Sequence, residues 1–88
     1  MLRIERTKRF RKNIKLCAKR GYDMTLLIDV TQTLIAQQPL PEHCHPHKLH
    51  GKYADYWECR IKPDWLLIYR FEPQTIIFEN TGTHADLF

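Results

Sequence analysis

Five side chains of this sequence combine the chemistry needed for proton transfer and phosphate contact: His47, Glu58, Arg60, Asp64 and His84. Histidine gives and takes a proton near neutrality. Carboxylates orient imidazole rings, and arginine stays cationic and forks onto phosphate oxygens. RNA cleavage would use such a set. The ribose 2′-OH attacks its own 3′ phosphate, a base removes the 2′ proton, an acid protonates the leaving 5′ oxygen, and cations stabilise the charge gathering on phosphorus. None of these steps requires a metal or a cofactor. Each residue also has a plainer reading. Asp64, after Pro63, can close its own turn; Glu58 and Arg60 can be a solvated strand face; His84 can be a surface residue.

The stretch "EHCHPHKLHG" (42–51) raises a different chemistry, because it holds four of the five histidines and one of the three cysteines. Structural zinc takes four tetrahedral ligands, typically from two separated segments. His43 and His47 have the spacing that aligns ligands on a helix, but Pro41 and Pro46 oppose a helix there. No C-x-x-C completes a ligand set. The expectation is no metal, and a polar surface loop for most of these histidines but not for all of them.

The elements that must position these side chains follow from periodicity. "LRIER" (2–6) alternates as a strand does. Thr7 can cap a helix whose apolar stripe is Phe10, Ile14 and Cys17, with Arg9, Lys12, Lys15 and Lys19 on its opposite face. Gly21 suits the left-handed position that ends it. Asp23 caps a second helix with Leu27, Val30, Thr31 and Leu34 inward and Pro39 marking its end. Residues 39–52 read as loop. In "DYWECRIK", Trp57, Cys59 and Ile61 face one way and Glu58 and Arg60 the other. "KPD" (62–64) is a turn, "WLLIYRF" (65–71) is apolar on both faces like a central strand, residues 72–74 turn again, and "TIIFEN" (75–80) is a last strand ended by "TGT". The closing "HADLF" is a short helical turn or a tail. The expected fold is α/β of the α+β kind: strand-helix-helix-strand-strand-strand, the last three an antiparallel meander. The helices cover one sheet face and leave the face of Glu58 and Arg60 open.

Eighty-eight residues make one domain, here 1–88. No apolar run reaches the roughly 18 residues of a membrane span, the N-terminus lacks a signal-peptide core, and three cysteines form no even framework. These features point to the cytoplasm. The net charge of +4 is divided unevenly: residues 1–20 hold nine Lys/Arg and one Glu, the remainder five Lys/Arg and nine Asp/Glu. So basic a block suits a polyanionic partner, either nucleic acid or an acidic protein segment.

"KLHGKYADYWECRIKPDWLLIYRF" followed by "FENTGTHADLF" resembles the YafQ branch of the RelE/ParE superfamily of bacterial toxins. The resemblance extends over roughly the whole chain and is strongest from Leu40 to Phe88. It implies a compact RelE-like fold and an endoribonuclease toxin that cuts mRNA in the ribosomal A site and is neutralised by an acidic antitoxin. It assigns functional roles to His47, Asp64, His84 and the terminal Phe88. Lys48 and Lys52 are further substrate-binding candidates, and the charge of the basic helix face suits ribosome or antitoxin. One position departs from the pattern: where relatives carry an acidic residue and then a histidine two apart, this chain has Glu58 and Arg60. Arginine cannot serve as acid or base at neutral pH, but it can stabilise phosphate charge. Two other readings stay open: a ParE-like relative with a non-nuclease target, and an RNA- or ribosome-binding module whose catalysis has decayed.

Overall fold

The computed structural model describes residues 2–88. Five strands form one sheet in the order β1-β5-β4-β3-β2. They are β1 (Arg3–Arg6), β2 (His47–Lys48), β3 (Trp57–Lys62), β4 (Trp65–Glu72) and β5 (Thr75–Gly82). The helices are α1 (Lys8–Lys19), α2 (Met24–Ile35) and the short α3 (His84–Leu87). β3, β4 and β5 form the expected meander, and β1 runs parallel to β5. β4 is central, which explains its unbroken apolar sequence. Trp65, Leu67 and Tyr69 pack in the core beneath α1 and α2, while Leu66 and Ile68 are buried on the other face.

Local chemistry starts and stops α1 as its sequence suggests. The Thr7 hydroxyl accepts from the Phe10 N–H at 3.0 Å and donates to the Glu79 carbonyl at 2.7 Å, so the cap also pins the helix to β5. Phe10 and Cys17 are buried, and the Phe10 ring stacks on Phe78. Gly21, at φ +80°, reverses the chain. Asp23 then caps α2 by accepting from the Thr25 N–H, and Leu27, Val30 and Leu34 are buried.

The structure corrects three expectations. First, α2 ends at Ile35 instead of running to Pro39. Gln37 adopts φ +56°, and the N–H groups of Gln37 and Gln38 donate to the Leu34 and Thr33 carbonyls. That left-handed closure satisfies the helix end before any proline is reached. Second, the segment 39–52 is not all loop, because β2 pairs with the start of β3, His47 opposite Glu58 and Lys48 opposite Trp57. Two residues are too few to leave a periodic trace. Third, the sheet face away from α1 and α2 is not open. Leu66, Ile68 and Leu87 form a second small core there, with Leu49 and Tyr56 packed against it. Glu58 is only 6% exposed, whereas Arg60 on the same face reaches solvent.

Candidate active site

The motifs "PDW" and "TGTH" are bound to each other. The buried Thr81 hydroxyl accepts from the Trp65 indole N–H at 3.0 Å and donates to the Leu66 carbonyl at 2.7 Å. At the rim, Asp64 Oδ1 accepts both the backbone N–H of His84 at 2.9 Å and its ring Nδ1–H at 2.6 Å. These two bonds hold the Asp64 carboxyl below the usual carboxylate range. Asp64 thus closes more than its own turn: it fixes the orientation of His84 and, by accepting from Nδ1–H, keeps the ring's proton on Nδ1. Nε2 is then the nitrogen that can exchange a proton with a substrate.

His47 is positioned from the β2 edge of the sheet. Its Nδ1 lies 2.9 Å from the His45 carbonyl oxygen, and its Nε2 lies 3.5 Å from Glu58 Oε1. A carbonyl oxygen only accepts, so Nδ1 is the donor there. Nε2 is then the ring nitrogen turned toward the Glu58 carboxylate.

Along the chain Arg60 lies between Glu58 and Asp64. It follows Glu58 by two residues on the same strand face and precedes Asp64 by four. It lies opposite Leu66, which in turn lies opposite Gly82 just before Thr83 and His84. The sheet therefore brings His47, Glu58, Arg60, Asp64 and His84 onto one face and rim. Phe88 caps the α3 turn, its N–H donating to the His84 carbonyl, and its ring is 62% exposed. Lys48 is exposed on β2, and the Lys52 ammonium lies 5.5 Å over the Tyr53 ring. Arg9, Lys12, Lys15 and Lys19 are all exposed on α1, away from this cluster in the chain and opposite its buried stripe.

Five supporting residues escaped the sequence reading: Tyr53, Arg20, Gly82, Thr83 and Asp86. Tyr53 meets Phe88 edge to face with ring centroids 6.0 Å apart, and meets Tyr56 at 5.8 Å. Arg20 grips Asp86 through two bonds, at 2.6 and 3.0 Å. Asp86 also accepts from the Thr83 N–H while Thr83 caps the Asp86 N–H. The T-x-x-D spacing of a capping box was the available signal. Gly82 is required beneath it, since a Cβ there would meet the Asp86 Cβ at 2.9 Å.

The Arg20 guanidinium, helped by the Thr83 N–H, holds the Asp86 carboxyl far below the ordinary carboxylate range. The folded value is below the unfolded one, near 4. The stabilisation is therefore complete above that pH and is lost as pH falls through the folded value. Asp86→Ala should loosen α3 at neutral pH by on the order of 1 kcal/mol, the usual worth of such a cap. Faster amide exchange at Leu87 and Phe88 would report it, and unchanged exchange would remove the clamp from the account.

The fold is that of a small bacterial toxin. It matches the crystal structure of YafQ from E. coli strain BL21(DE3) with a TM-score of 0.95 and 37% identity, covering 100% of this chain and 99% of that one. The family model described as "Bacterial toxin of type II toxin-antitoxin system, YafQ" matches residues 2–88, and the chain belongs to that family. It is 40% identical over 86 residues to the mRNA interferase toxin YafQ of E. coli K12, covering 97% of this chain and 94% of the relative. It is also similar to the toxin in the E. coli DinJ–YafQ complex, with a TM-score of 0.93 and 38% identity over 100% of this chain and 99% of that one. No helix among the described residues is long and apolar enough to cross a membrane.

Proposed function

We propose that this toxin is an mRNA interferase that cleaves mRNA in the ribosomal A site by metal-independent acid–base chemistry. The observation that carries the reading is the pairing of two histidines with two carboxylates, His84 with Asp64 and His47 with Glu58, with Arg60 between the two carboxylates along the chain. His84 Nε2 takes the 2′-OH proton, and the attack of that oxygen on phosphorus forms a cyclic phosphate. His47 protonates the departing 5′ oxygen, and Arg60 stabilises the charge on the phosphoryl oxygens. Phe88, with Lys52 nearby, seats the flanking base and backbone; Lys48 extends the cationic rim.

The exposed basic face of α1 serves the ribosomal RNA and, in turn, an acidic segment of a cognate antitoxin. The E. coli relative YafQ forms a toxin–antitoxin complex with DinJ. A toxin that works on the ribosome works in the cytoplasm, as one domain. The paired histidines favour this reading over a ParE-like relative with a non-nuclease target. Arg60 is the one feature that favours a binding module with decayed catalysis.

A translating extract separates the readings. The protein should cut ribosome-bound mRNA, and it should do so in excess chelator, since no step above uses a bound cation. Ribosome binding without cuts would support the decayed module. Activity lost in chelator and restored by zinc would return metal chemistry to the site.

A further inference from the structure

The loop histidines left out of this chemistry are gathered, not scattered. His43 and His45 line an open hollow of about 440 Å³ together with Arg60, Ile61, Lys62 and Pro63. Four of its six lining residues are cationic or can become so, and none is acidic. Two features of the backbone build it. β2 pairs only with Trp57 and Glu58, so the later half of β3 has the 3-10 turn Glu42–Cys44 beside it in place of a strand. His45 then closes that turn at φ +42°, a conformation uncommon outside glycine. The same His45 presents its carbonyl to His47 Nδ1. The hollow is thus joined to the candidate site at two points, through Arg60 and through the His45–His47 bond.

We propose that this hollow binds a phosphodiester of the mRNA next to the scissile one, with protonated His43 and His45 and with Lys62 as its ligands. The proposal rests on Arg60 acting at the scissile phosphate. A backbone that places one phosphate at Arg60 carries the next along the strand, and on this side the protein offers a second set of donors beside that arginine. A folded acidic peptide has no such fixed relation to Arg60, which favours RNA as the occupant.

Protonation decides the strength of this contact. His43 faces Asp29 of α2 across a neighbouring hollow, and Cys44 Sγ lies 3.7 Å from its Nε2. His45 faces Arg60 and Lys62 of β3, with Glu42 at the start of its own turn. Asp29 and Glu42 are the acidic groups near the two rings, and Arg60 and Lys62 the basic ones. Imidazole side chains in general are charged at mildly acidic pH and lose that charge as pH rises, so the contact is tested at two pH values.

The test compares the parent with the double variant His43→Ala/His45→Ala. The ligand is ribosomes whose A-site mRNA carries a 2′-deoxy nucleotide at the cut, with empty ribosomes as control. At about pH 6 the double variant should bind programmed ribosomes several-fold more weakly, and its slope of log affinity against log salt should be shallower by about 0.7, one single-strand phosphate. At about pH 8.5, where imidazoles are neutral, it should match the parent. His43→Lys/His45→Lys should bind as tightly as the parent at the lower pH and more tightly at the higher. Both histidines are exposed, so the fold should survive either change.

Equal binding of parent and Ala variant at the lower pH would overturn the proposal. So would an equal loss on empty ribosomes, which assigns the contact to ribosomal RNA. A loss of antitoxin affinity alone would assign the hollow to a protein and overturn it too. A parent that ignores programmed ribosomes would sink the functional reading along with it, whereas a parent that binds and cuts beside an unaffected variant sinks only the hollow.

Discussion

His84→Ala should slow single-turnover cleavage of A-site mRNA by about 10²-fold or more, the usual loss when a proton-transfer group is removed. The fold should persist, because the ring lies in an exposed rim and the buried Trp65–Thr81–Leu66 bonds beneath it do not involve it. His47→Ala should cost about as much if it is the acid. The carboxylates should behave differently from the histidines and from each other. Asp64→Asn keeps an oxygen that can accept from the His84 N–H but loses the charge that stabilises a protonated ring, so it should lower the rate and shift the pH profile of the step that uses His84. Glu58 is buried with His47 as its partner, so Glu58→Gln should alter the His47 limb of the same profile. A His84→Ala enzyme that cuts at the parent's rate would remove His84 and, with it, the Asp64 pairing from the mechanism.

Arg60→Ala should cost roughly 3 kcal/mol of transition-state stabilisation, similar to the loss of one oxyanion donor. Arg60→Lys should keep part of the activity, since a cation remains while the planar fork is lost. Arg60→His is the sharper substitution. If the site is built like those of its relatives, histidine should preserve or raise the rate and add a titration at about pH 6–7 to the profile. If Arg60→Ala cuts as fast as the parent, Arg60 is a surface residue. The working set would then be His47, Asp64 and His84, with Phe88 placing the substrate.

Most of the fold was legible because its determinants are local. Thr7, Gly21 and Asp23 sit at helix ends where their side chains or φ angles act within four residues. The two-sided apolar run of β4, bounded by turns at both ends, pointed to a central strand. The site was legible in part. Its residue types and the KPD turn drew attention to Asp64 and His84, but the bond between them spans 20 positions and depends on the Trp65–Thr81 contact that brings the two motifs together. The burial of Glu58 was misread, because its cover comes from a two-residue strand with no periodicity of its own. The end of α2 was misplaced for a similar reason: Gln37 in a left-handed turn gives no compositional signal, whereas Pro39 gives a strong one. Tyr53 and Arg20 were missed because their partners, Phe88 and Asp86, lie at the far end of the chain.

The central claim is that the ribose 2′-OH is the nucleophile and that the paired histidines move its proton and that of the leaving oxygen. The chemical identity of the new 3′ end tests it most directly. Mass spectrometry of the upstream fragment, taken early in cleavage of ribosome-bound mRNA, should find a 2′,3′-cyclic phosphate or the phosphate that follows from its opening. An upstream fragment ending in a free 3′-hydroxyl would mean that water attacked phosphorus and the 3′ oxygen left, and that the mechanism assigned to His47, Arg60 and His84 is wrong.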